Sequence, residues 1–132
     1  MKKAYLFILI FFLQYSLPAF SQTVKEFLKK GTQQYEAKDY ENALRTFKEG
    51  LKRYPQDAQL NLKTGQTYLS LPNKAESLLY LQSAFTSDPD VDENIYYYLG
   101  LSYQSNRQYK SAADFFEEHK QRNKKQADSI NN

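Results

Sequence analysis

His119 is the only histidine of this chain and there is no cysteine, so thiol nucleophiles, thiolate metal sites and disulfides are excluded at once. No glycine-rich phosphate loop and no His-Glu-x-x-His spacing occurs either. What remains with chemical reach is carboxylate: Glu117-Glu118 beside His119, and the run Asp88, Asp90, Asp92 and Glu93. The run lacks the glycine and the spaced glutamate of a calcium loop. It reads instead as a linker with a helix cap, and His119 as a solvated residue of the last helix. The expectation is therefore no catalytic residue, no metal and no cofactor, which makes the chain a non-enzyme.

The elements that hold these residues repeat. Gly31, Gly65 and Gly100 are spaced by 34 and 35 residues, and twelve residues after each stands a small residue: Ala43, Ser77 and Ala112. Four further on come Phe47, Leu81 and Phe116, and Pro55 and Pro89 close the first two units. Phe27 and Tyr96 precede their glycines by four, Tyr68 and Tyr103 follow theirs by three, and Tyr40 and Tyr109 follow by nine. Helix-start signals fall between these markers. Thr23-x-x-Glu26 and Asn73-x-x-Glu76 read as capping boxes, and Asp39, Asp57 and Asp92 as N-caps. A recurrent glycine costs about 1 kcal/mol in a helix interior relative to alanine, so its register implies close approach of the partner helix at Ala43, Ser77 and Ala112.

This pattern resembles the tetratricopeptide repeat, a helix–turn–helix unit of 34 residues with an aromatic, Leu-Gly, Tyr, Ala, an aromatic and Pro at set places. The resemblance covers residues 24–122, with one inserted residue near positions 89–92. Lys30 and Thr64 depart from it at the Leu position and Asn61 at an aromatic one. It implies an all-α, right-handed α-solenoid of six helices in three units, about 24–57, 58–92 and 93–122. Residues 123–132 are a polar C-terminal tail, either a frayed helical extension or disordered.

The ends look finished. One and eight residues past the small residue, Leu44 with Leu51 and Leu78 with Phe85 become Ala113 with Lys120. Five before and three after the glycine, Leu60 with Tyr68 and Ile95 with Tyr103 are apolar, whereas the first unit has Glu26 and Gln34. Polar outer faces belong to terminal units.

Before the repeats, Lys2-Lys3, the apolar residues 4–13 and Ala19-Phe20-Ser21 read as a signal peptide over residues 1–21, cleaved to leave Gln22 first. Ten apolar residues fall short of the about 20 that span a membrane; the alternative is an uncleaved anchor reaching Phe20. Export to the periplasm or beyond follows, with no cysteine for a lipid anchor and no membrane span after cleavage. Of 18 lysines and arginines, removal of Lys2 and Lys3 leaves 16 against 15 acids, a net charge of +1. Nucleic acid binding needs a concentrated basic field. The one cluster, Lys120, Arg122, Lys124 and Lys125, is too small for that, and no nucleic acid partner is expected.

The resemblance further implies a concave face lined by the first helix of each unit, open to a peptide or protein partner, here another bacterial envelope protein. By register its residues are Lys25, Leu28, Lys29, Thr32 and Tyr35; Gln59, Leu62, Lys63, Gln66 and Leu69; Asn94, Tyr97, Tyr98, Leu101 and Gln104. Family members that clamp a C-terminal carboxylate use Lys and Asn in the first unit, Asn in the second, and Lys with Arg in the third. Leu28 and Thr32, Lys63, and Asn94 with Tyr98 stand there instead, which argues against that clamp. Tyr97, Tyr98, Leu62 and Leu101 are the candidate apolar hot spot, the bland alternative being that one tyrosine packs between units and the other is merely exposed. Asp128-Ser129-Ile130 resembles an O-glycosylation signal of exported bacterial proteins, which implies Ser129 as the modified residue. The leading function is a non-enzymatic adaptor or scaffold. Two rivals stand beside it: a self-associating structural subunit, and an accessory to a carbohydrate-processing or transport system.

Overall fold

The computed structural model describes residues 23–130, so the expected signal peptide lies outside the described residues. Six α-helices follow in order: α1 Val24–Glu36, α2 Tyr40–Arg53, α3 Ala58–Leu69, α4 Ser77–Ser87, α5 Ile95–Ser105 and α6 Tyr109–Ile130, with a short 3-10 helix at Lys74–Glu76 before α4. Each helix packs on its successor. The first helices of neighbouring units also touch, α1 on α3 and α3 on α5, whereas the backbones of α2 and α4, and of α4 and α6, do not approach. One row is therefore close and the other splayed, which curves the stack and makes α1, α3 and α5 its inner face.

Inside each unit the glycine lies directly beneath the large residue of the partner helix. A Cβ added at Gly31 would clash with the edge of the Phe47 ring, one at Gly65 would lie 2.5 Å from Leu81 Cγ, and one at Gly100 would clash with the edge of the Phe116 ring. Phe47, Leu81, Ala43 and Ser77 are all fully buried. The contact that the glycines make room for is thus the large side chain itself, with the small residue beside it. Two apolar clusters result, one around Phe27, Ala43, Phe47 and Leu60, the other around Leu62, Leu81, Ala84, Val91, Ile95 and Leu99. Between units the joints are apolar as well. Leu51 packs on the first cluster, and Phe85 meets Tyr96 and Phe115 edge-on at 5.4 and 6.5 Å.

The caps divide by turn chemistry. Thr23 and Glu26 form the expected capping box, and Asp39 and Asp57 accept from the backbone N–H groups of Asn42 and Leu60. Asn73 makes no side-chain cap bond, which corrects the second capping box. The reason lies one residue earlier. In units one and three the turn between helices passes through a left-handed residue at matching places, Lys38 with φ 61° and Arg107 with φ 59°. Unit two has Pro72 there, whose ring holds φ near −65°, so the chain takes the 3-10 turn instead. Asp92 is likewise two residues too early for a cap: α5 begins at Ile95, and the Asp92 carboxylate accepts from the Asn94 N–H at 2.8 Å in the turn before it. A left-handed residue with a Cβ costs about 1–2 kcal/mol that glycine avoids, partly offset by glycine's freer unfolded chain. Lys38→Gly should accordingly raise the unfolding free energy by up to about 1 kcal/mol; a lower urea midpoint would refute strain at this turn.

The last helix continues through Ile130, two turns past the place where α2 and α4 end, because Lys124 stands where a helix-ending proline closes the earlier units. His119 occupies the register of Gly50 and Ala84. Both of those are buried at the joint to the next unit, where a Cβ at Gly50 would come within 3.0 Å of Leu60. In the third unit this register holds the His119 ring, which packs 5.6 Å from Tyr97; its Nδ1 is shielded from solvent without a hydrogen-bond partner among the described residues, and its Nε2 lies 3.1 Å from the Asn123 amide. It is half-buried, not the solvated residue expected. Ala113 and Lys120, on the same helix, are both exposed.

Candidate functional site

The inner face takes its shape from three residues at one register, two before the glycine of each first helix: Lys29, Lys63 and Tyr98. In the seam between α3 and α5, Tyr98 lies half-buried and its hydroxyl hydrogen-bonds Gln66. Burial raises the Tyr98 phenol above its ordinary pKa and the Asp92 carboxylate adds to this, while the Gln66 bond works the other way. In the seam between α1 and α3 the equivalent residue is Lys63, opposite Thr32. A lysine keeps its ammonium in water and leaves the seam unfilled.

The result is an open trough of about 640 Å³ lined by Val24, Lys25, Leu28, Lys29, Thr32, Gln33, Gln59 and Lys63, its floor almost wholly carbon. Six of the expected groove residues thus come together: Lys25, Leu28, Lys29, Thr32, Gln59 and Lys63. Val24 and Gln33 were missed by register alone, although the capping box at Thr23 already places Val24 in the first turn of α1.

The other half of the expected face is different. Leu62 is 1% exposed and belongs to the second core cluster, so it is no groove residue: Leu81, Val91, Ile95 and Leu99 enclose it. Tyr97 and Tyr98 do meet, at 6.0 Å, but Tyr97 turns along α6, 5.9 Å from Phe116, while Tyr98 enters the seam. The four-residue hot spot therefore does not form. Tyr97 remains 43% exposed, and Leu101 is half-buried. Tyr35 stands edge-on to Tyr40 and shares a 3.0 Å hydrogen bond with Ser70 across the units, which ties its ring down beside half-buried Leu69. Gln104 is exposed, and Asn94 stands at the N-cap position of α5 without a side-chain cap bond.

Polar contacts fix the spacing of the inner helices. Gln59 Nε2 donates to the Val91 carbonyl at 2.9 Å, so the residue at the trough's edge also anchors the turn leading into α5. Ser77 donates to the Lys74 carbonyl at 2.6 Å; with its one proton so used, Ser102 must be the donor in the buried 2.5 Å bond between the two hydroxyls. Asn61, where the pattern has an aromatic, donates to the carbonyls of Pro55 and Asp57 and so secures the turn between units one and two.

Among the described residues no group of three or more His, Asp or Glu side chains could hold a metal ion, and no helix is long and apolar enough to cross a membrane. Asp88 and Asp92 accept from backbone N–H groups of their own turn, consistent with a linker. Ser129 is exposed on the last turn of α6 and donates to the Gln126 carbonyl at 2.7 Å. Residues 28–92 match the family model of the tetratricopeptide repeat. The third unit lies beyond that match and rests on its own geometry, Phe116 over Gly100 beside buried Ala112. No curated protein and no solved structure matches the chain significantly.

Proposed function

The chain belongs to the tetratricopeptide repeat family, whose members are generally protein–protein interaction modules, and from that premise we propose that it is a non-enzymatic adaptor holding a peptide segment of a partner protein on the face of α1, α3 and α5. The observation that carries this is the open, carbon-floored trough between α1 and α3. An unfilled apolar seam on the inner face is where a partner side chain can be buried without displacing anything. The basic and apolar N-terminal residues, Lys2-Lys3 followed by residues 4–13 and Ala19-Phe20-Ser21, support export, and the partner is then another protein of the bacterial envelope. Ser129, exposed near the far end of α6, is available for modification without disturbing this face.

Site-specific photocrosslinking in the native cell tests the reading. A photoreactive residue at Thr32 or Gln66, on the inner face, should trap a defined partner, and one at Arg45 on the outer helix α2 should not. Adducts from Arg45 with none from Thr32 or Gln66 would place the interaction on the outer surface and refute it.

A further inference from the structure

Within that adaptor reading, on which this step rests, we infer that the trough between α1 and α3 takes an acidic peptide segment built around one or two large apolar side chains. Three features of the trough specify this chemistry. Its floor, from Val24 and Leu28 to Thr32, is carbon that water covers poorly and an apolar side chain covers well. Its edges carry Lys25 and Lys29 on one wall and Lys63 on the other, and no acidic residue lines it. None of the three lysines has an ion-pair partner: the ion pairs among the described residues are Lys120 with Glu117 and Arg122 with Glu118, both along α6. The nearest acid in sequence, Glu26, is turned back onto the Thr23 N–H at 2.9 Å in the capping box.

Solvated lysines on a helix are ordinary, and singly they would specify nothing. Here two walls from different units aim like charges across one apolar depression, and the equivalent seam between α3 and α5 is closed by Tyr98 instead. The occupant that relieves this arrangement brings negative charge to the rim and carbon to the floor. The apolar anchor supplies the affinity, and the carboxylates supply orientation, rate of encounter and discrimination against basic segments. Exposed charge pairs are individually weak, so three together amount to about a tenfold preference.

The test uses the chain purified as cells produce it and three pools of fluorescein-labelled hexapeptides, capped at both ends. The pools carry Asp-Glu, Ser-Gly or Lys-Arg flanks around two central positions drawn from Ala, Leu, Ile and Phe. Fluorescence anisotropy should show the acidic pool binding about tenfold more tightly than the neutral one, with the preference shrinking as salt screens it. Deconvolution should place Leu, Ile or Phe at the centre. Lys25→Glu with Lys63→Glu should invert the order of the acidic and basic pools, circular dichroism confirming an unchanged fold. Lys63→Tyr, which copies Tyr98 and fills the seam, should abolish binding of every pool without lowering stability. Equal binding of the three pools, or Lys63→Tyr binding as well as the parent, would overturn the inference. If the neutral or basic pool binds best while Thr32 still crosslinks a partner, the acidic assignment fails and the adaptor reading stands. If no pool binds and crosslinks arise only from Arg45, both fail.

Discussion

Phe47→Ala should lower the free energy of unfolding by about 3–5 kcal/mol, a large part of what holds a domain of this size together. Phe47 is fully buried, lies against Gly31, and sits in the same cluster as Phe27, Ala43 and Leu60. Two losses combine when its ring is removed: the apolar area returned to water and the cavity left against Gly31. That cavity cannot collapse from the glycine side, because there is no side chain there to move. The measurement is a urea titration, read as a shift of midpoint at unchanged slope. A loss below about 1 kcal/mol would mean that Phe47 is not the residue that locks the first unit.

Gly31→Ala should be destabilising by about 2 kcal/mol, against the ordinary direction of the change. In a helix interior alanine is favoured over glycine by about 1 kcal/mol. Here the new methyl would clash with the edge of the Phe47 ring, and Phe47, fully buried, has nowhere to go, so overpacking of about 1–3 kcal/mol or more dominates. Gly65→Ala should behave alike, since its Cβ would press on Leu81 Cγ and approach the Leu81 backbone nitrogen at 3.3 Å. Gly100→Ala is the internal control. Its Cβ would meet Phe116 just as closely, but Phe116 is only half-buried at the open end and can swing outward. The net change at Gly100 should therefore lie within about 1 kcal/mol of zero. Equal losses at Gly31 and Gly100 would contradict this account, because they would make the penalty independent of the room available to the ring.

The same contrast shows why a terminal unit is softer than an internal one in a stacked array. Phe47 and Leu81 share their core clusters with Leu60 and Ile95 of the next unit and are fully buried, whereas Phe116, whose ring meets Tyr97 of its own unit at 5.9 Å, is half-buried. The inner face shares this asymmetry: its open trough lies at the first seam, between α1 and α3, while the aromatic residues at the other end are spent on closing a seam and covering the last helix.

Periodicity alone located Gly31 with Ala43 and Phe47, and their two later copies, because the partner of each lies within the same 34-residue unit and recurs at a constant offset. Leu51 and Phe85, which pack on the two core clusters, were legible for the same reason. The two caps misread at Asn73 and Asp92 were not, since one depends on Pro72 denying the left-handed turn and the other on the bonding of the turn before Ile95. Tertiary structure alone decided the inner face. Leu28, Leu62 and Tyr97 share one register yet end half-buried, enclosed and exposed, because different side chains are set against each: Leu62 shares a core cluster with Val91, Ile95 and Leu99, whereas Tyr97 has only ring contacts along its edge, with Tyr98, Phe116 and His119. Register assigns a residue to a face; whether that face is a floor, a wall or a plug depends on the volume of the side chain that the next unit sets against it, and so Lys63 opens a trough where Tyr98 seals one.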